Sequence, residues 1–212
     1  EIIPLHNPDT YTAMWQNWWL QQVITKGYDL NHTPFLFYPN GLDVTLQPRR
    51  WTSYPLWAMY NALFGEPSAY NLTILTQSII KAYAMYRFIL LFVPHRPPAW
   101  IGGAFFAFSA RILASGIQQP NTGSLEFIPI FMIFFVLALR RIDSDDDLRR
   151  VIGWTTIAGI MFSANIYMNL KIGIFAMLVG GLYVTWVFIV HRLWRKRTFW
   201  IGMGWFALVS GI

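Results

Sequence analysis

At 212 residues, with 55% hydrophobic, 18% aromatic and only 12% charged side chains, the chain carries too little polar surface to cover a water-soluble globule of its size. Its formal charge of +6 sits in short loops between apolar runs, where it reports membrane topology and anionic lipid, so no nucleic-acid partner is expected. The absence of cysteine excludes disulfides, thiolate catalysis and cysteine-type zinc sites.

The first element is a helix containing Tyr11, Trp15, Trp18 and Trp19 at helical spacing, with Gln16, Asn17 and Gln21 on the other side. Tryptophan and tyrosine favour the headgroup layer, so this helix is expected to lie along the outer interface on its aromatic face, with the amides pointing away. Gly27 ends it. Residues 28–51 carry Pro34, Pro39, Gly41 and Pro48 and read as an ordered loop. A second surface helix starts at Thr52 or Ser53, has Pro55 in its first turn, groups Leu56, Trp57, Tyr60, Leu63 and Phe64, and stops at Gly65 before Pro67.

Six apolar runs follow, at 68–93, 98–116, 124–139, 150–167, 171–190 and 198–212. Each approaches the ~20 residues that a helix needs to cross ~30 Å of hydrocarbon. Their connections alternate between basic (94–97, 140–150 and 191–197) and nearly free of Lys and Arg (117–123 and 165–171). Positive loops stay in the cytoplasm, which puts the neutral turns and residues 1–67 outside. The expected architecture is an all-α membrane protein of the cell membrane. An outward segment with two interfacial helices, 1–67, precedes a polytopic helical bundle, 68–212, with about six transmembrane helices. The first residue is not Met and the last run stops short, so the chain is expected to be an N-terminal fragment of a larger multi-span protein.

The outer segment "NPDTYTAMWQNWWL", then "PFLFYPNG", then a paired surface helix leading into a span, resembles the first outer loop of membrane glycosyltransferases of the GT-C class. "AFSARILASG" is similar to their phosphate-side arginine segment, and "SLEFIP" to an acidic residue at the start of the following span. The likeness covers roughly residues 7–140 and lacks the doubled acidic pair that many members show beside the first Asp. It implies transfer of a sugar from a polyprenyl-phosphate carrier to an acceptor on the outer side. In that reading Asp9 is the catalytic or metal-holding carboxylate, Glu126 the second acid and Arg111 the carrier-phosphate partner. Lys171 and His6 are added on the substrate side, and a divalent metal such as Mg or Mn would lie between Asp9 and Glu126.

The chemistry alone needs a carboxylate base and a cation or metal on one side of the membrane, to deprotonate the acceptor and neutralise the departing phosphate. Asp9, Arg111, Glu126 and Lys171 all fall on the outward side, and Asp9, Arg111 and Glu126 are expected to share one cavity. Each also has a plain role. Asp9 can cap the first helix, Arg111 can snorkel, Glu126 can favour a helix start, and Lys171 can meet a lipid headgroup. Lys81, near mid-depth, needs an interior partner or water, whereas Arg87 can snorkel. The acidic run 143–147 reads as a solvated loop beside Arg140, Arg141, Arg149 and Arg150, and the four histidines lack metal-binding spacing. Membrane lipids and the polyprenyl-linked sugar are the expected partners. A non-catalytic multi-span subunit contacting partner membrane chains is the alternative, and a transporter the third reading.

Overall fold

The computed structural model describes residues 8–45, 47, 50–110, 112, 114, 124–144 and 147–211. The chain is 77% helical and almost devoid of strand, an all-α protein. The described α-helices are α1 (Pro8–Lys26), α2 (Tyr54–Phe64), α3 (Ser68–Ile89), α4 (Arg96–Phe108), α5 (Phe127–Asp143), α6 (Leu148–Met168), α7 (Leu170–Val190) and α8 (Arg197–Ser210). A 3-10 turn, Leu193–Arg195, lies between α7 and α8. Among the described residues two helices, α6 and α7, are long and apolar enough to cross a membrane, at 21 residues each. The chain divides into two compact units, and the division falls at Gln77 inside α3.

In the first unit α1 packs on α2, and a short antiparallel pair, β1 (His32–Thr33) with β2 (Leu42–Asp43), sets His32 opposite Asp43 and Thr33 opposite Leu42. Gly27, at φ +70°, ends α1, and Gly65, at φ +67°, ends α2, both in the left-handed region where a side chain is strained. The start of α3 belongs here because its first turns bury Ala69, Tyr70 and Thr73, and because Tyr60 and Thr76 share a hydroxyl hydrogen bond of 2.8 Å.

On α1 Thr10, Ala13, Gln16, Asn17, Trp19 and Leu20 are buried, with Asn17 fully so, while Tyr11 and Ile24 are exposed and Trp15 and Trp18 half-buried. Small and polar residues make the close seam, and the tryptophans turn to the following loop. Trp15 stacks on Trp19 at 6.1 Å, Trp19 on Tyr28 at 5.8 Å, and Trp18 meets Phe35 edge-on at 5.4 Å. Periodicity groups residues by face, but only the partner surface decides which of them are buried.

In the second unit α6 is the central helix, packed against α5, α7 and α8. Its core is aromatic: Phe131 and Phe135 of α5, Phe162 of α6 and Phe206 of α8 meet ring to ring at 5.2–6.1 Å. Asn169 alone separates α6 from α7 and serves both. Its N–H donates to the Asn165 carbonyl, and its side chain accepts from the Lys171 N–H at 3.0 Å. Asp147 caps α6 by accepting from the Arg149 N–H.

Gly103 marks where α4 comes closest to α3. A Cβ built there would stand 2.5 Å from the Ala82 carbonyl oxygen and 3.1 Å from the Tyr86 backbone nitrogen, atoms that cannot swing aside. We expect Gly103→Ala to push the two helices apart and cost about 1–3 kcal/mol, the usual penalty of overpacking. Gly153→Ala on α6, whose added Cβ meets no described atom within 4 Å, should gain up to ~1 kcal/mol from helix propensity instead. Thermal melts in detergent followed by tryptophan fluorescence should shift in opposite directions, and equal shifts would refute the close approach.

Candidate functional site

Asp9 sits exposed in the first turn of α1, which begins at Pro8. It is therefore inside the helix rather than its N-cap, and its negative charge complements the positive end of the helix dipole. Its neighbour Thr10 turns inward and meets the Tyr70 phenol, which also feels the charges of Arg50 and Glu66. Arg50 is almost wholly buried, at 1% exposure. Its Nε donates to Ser53 Oγ at 3.1 Å, and that hydroxyl in turn donates to the Arg50 carbonyl. The Glu66 carboxylate accepts from Trp57 Nε1. A buried guanidinium thus belongs to the same unit as Asp9, in a loop where periodicity says nothing; only its place among prolines and aromatics singles it out in the sequence. Arg50 also lines a cleft with Trp15, Gln16, Trp19 and Gln47, whose free volume of about 20 Å³ has room for about one water molecule.

Glu126 belongs to the second unit and stands at the N-cap of α5 without capping it through its side chain. It is 3% exposed, and its carboxylate acts on the ammonium of Lys81, also 3% exposed, on α3. Gln77, Ser78 and Lys81 share the buried side of α3, and Ser124 is buried beside Glu126 in sequence. Glu126 is thus the charged group that acts on the buried Lys81. Burial disfavours the Lys81 ammonium, and the Glu126 carboxylate offsets part of that cost. A carboxylate engaged in that way is less suited to hold a metal or accept a proton. Among the described residues no three His, Asp or Glu side chains gather to bind a metal ion.

Lys171 is exposed in the first turn of α7, where its side chain suits a headgroup contact. Arg111 and His6 lie outside the described residues, as do Asp145 and Asp146 of the acidic run. Asp143 of that run is tied to His191 Nδ1 at 2.8 Å and to Lys196 Nζ at 3.8 Å, so its partners come from the 191–197 connection and not from the arginines beside it in sequence. Arg87 stays exposed and lies over the Tyr83 ring. Comparison with protein-family models, with curated proteins and with solved structures finds no match.

Proposed function

We propose that the chain is part of an integral membrane glycosyltransferase that takes a sugar from a polyprenyl-phosphate carrier and passes it to an acceptor outside the cell membrane. The observation that carries the reading is Asp9: an exposed carboxylate in the first turn of a helix–loop–helix that leads into α3, the order that the GT-C resemblance requires. In this reading Asp9 takes the acceptor proton as the glycosyl bond to phosphate breaks, and Arg111 balances the charge left on the carrier phosphate. Glu126 is then a positioning residue, anchoring the start of α5 to Lys81 instead of serving as a second acid.

The same proposal has α3–α8 all crossing the bilayer, with residues 1–67 outside. Support comes from α7, of which only 28% of the apolar stretch is buried while Phe175, Leu178, Leu182, Trp186 and Ile189 are exposed, the reverse of a core helix in a water-soluble protein. With no native cysteine, single cysteines at Asn40, Thr122 and Ser144 test the topology on intact cells. An impermeant maleimide should label the first two and spare the third; labelling of Ser144 alone would reverse the orientation.

The non-catalytic subunit is favoured by one feature, the exposed row Trp100, Ile101, Phe105 and Phe108 on α4, which suits a partner helix as well as lipid. Proteoliposomes holding the full-length protein and a radiolabelled polyprenyl-phosphosugar separate the two. Label leaving the carrier for an acceptor supports the enzyme. Neither transfer nor carrier binding, with a membrane partner co-purifying at fixed stoichiometry, would replace it by the subunit.

A further inference from the structure

The formal charge of +6 has a single address. Residues 87–97, 140–150 and 191–197 hold ten of the sixteen Lys and Arg and four of the ten acidic residues, which accounts for the whole excess and leaves the rest of the chain neutral. All three segments belong to the second unit, at the C-terminal ends of α3, α5 and α7 and the turns that follow them. A cavity of about 210 Å³ opens there, lined by Phe92, Arg140, Asp143, Tyr183, Trp186 and His191.

Arg140 is its centre. The Arg140 Nη2 donates to the Leu91 carbonyl at 2.6 Å, its guanidinium lies 5.4 Å from the centroid of the Phe92 ring, and Tyr183 stands in the same cavity wall. These contacts fix the group before any ligand arrives, and a guanidinium has five N–H donors, so it retains donors for a phosphate. The one acid in the cavity, Asp143, would repel an anion, but His191 and Lys196 engage its carboxylate, and Lys196 also donates to the Ile142 and Asp143 carbonyls. The wall is aromatic, formed by Phe92, Tyr183 and Trp186, and Phe92 and Trp186 are exposed.

We propose that this cavity seats the headgroup of an anionic phospholipid, with Arg140 on the phosphate and Trp186 and Tyr183 at the glycerol level. The inference rests on the membrane reading and is independent of the sugar chemistry. A fixed cation beside an aromatic wall, at the end where all the excess charge collects, matches a phosphate that carries acyl chains, whereas a free anion has no use for the wall. In the six-span topology that end meets the cytoplasmic leaflet.

The test uses the full-length protein in nanodiscs of phosphatidylcholine with a minor fraction of phosphatidylglycerol, followed by native mass spectrometry of the lipid that stays bound. Wild type should retain phosphatidylglycerol over phosphatidylcholine. Arg140→Gln should cut that retention about tenfold, as expected for one charge-assisted contact, while Arg192→Gln, which removes the same charge outside the cavity, should change it less than about twofold. Trp186→Ala should weaken retention without altering net charge, which keeps the site testable if Arg140→Gln misfolds. Equal losses for Arg140→Gln and Arg192→Gln would reduce the site to a diffuse field and overturn it. Displacement of the lipid by millimolar inorganic phosphate would make it a free-anion site and overturn the lipid. A chain that stays in the aqueous phase would sink the membrane reading itself, whereas a reconstituted chain with no phosphatidylglycerol preference would sink only the site.

Discussion

Asp9→Asn in the full-length protein is expected to lower sugar transfer by at least about 10²-fold, the lower end of what a general base contributes. The amide fills the same volume, but it cannot take the acceptor proton. Asp9 lies exposed in the first turn of α1, so the loss of its charge costs the helix only about 0.3–1 kcal/mol of dipole interaction. Stability and carrier affinity should therefore stay near wild type while turnover collapses. Asp29→Asn is the matched control, since Asp29 is an exposed carboxylate in the same unit whose Oδ1 accepts the Asn31 N–H. Equal turnover in Asp9→Asn and wild type would remove Asp9 from the chemistry and leave it as a dipole partner.

The elements were legible because their signals are local. Each of the six apolar runs corresponds to a helix, and the breakers at Gly27 and Gly65 stand where helices end. Whether all six cross a bilayer is less legible, because four are short or interrupted by charge: α4, α5 and α8 span 13, 17 and 14 described residues, and α3 carries Lys81 and Arg87. A helix in a bundle can owe its place to neighbouring helices as much as to its own hydropathy.

What the sequence hides is lateral. The inward side of α1 follows the shape of α2 and the loop, which no repeat along α1 encodes, so Asn17 and Trp19 are buried together although the periodic pattern sets them on different sides. Asp143 has arginines on both sides in the chain, yet its nearest described partner is His191 across the unit. Polarity inside an apolar run did carry information: Lys81 in the middle of α3 demanded a partner or water, and the Glu126 carboxylate at the head of α5 acts on it. The identity of that partner needed the fold.

Either half of this pair, removed alone, should strand a charge in a place that excludes water. Lys81→Met and Glu126→Gln are each expected to cost about 3–5 kcal/mol, the penalty of leaving a buried ion without its counterion. Both residues are 3% exposed, so solvent cannot take over the missing role. The double variant Lys81→Met/Glu126→Gln should recover most of the loss, because a buried ion pair seldom outweighs its own desolvation against neutral groups of similar volume. Chemical denaturation in mixed micelles measures all four proteins. Coupling below about 0.5 kcal/mol, within what distant sites show, would mean that the two charges do not hold each other. Transfer activity of the recovered double variant then separates anchoring from catalysis: a stable protein with near wild-type turnover confines Glu126 to positioning α5, and a stable but inactive one returns it to the reaction.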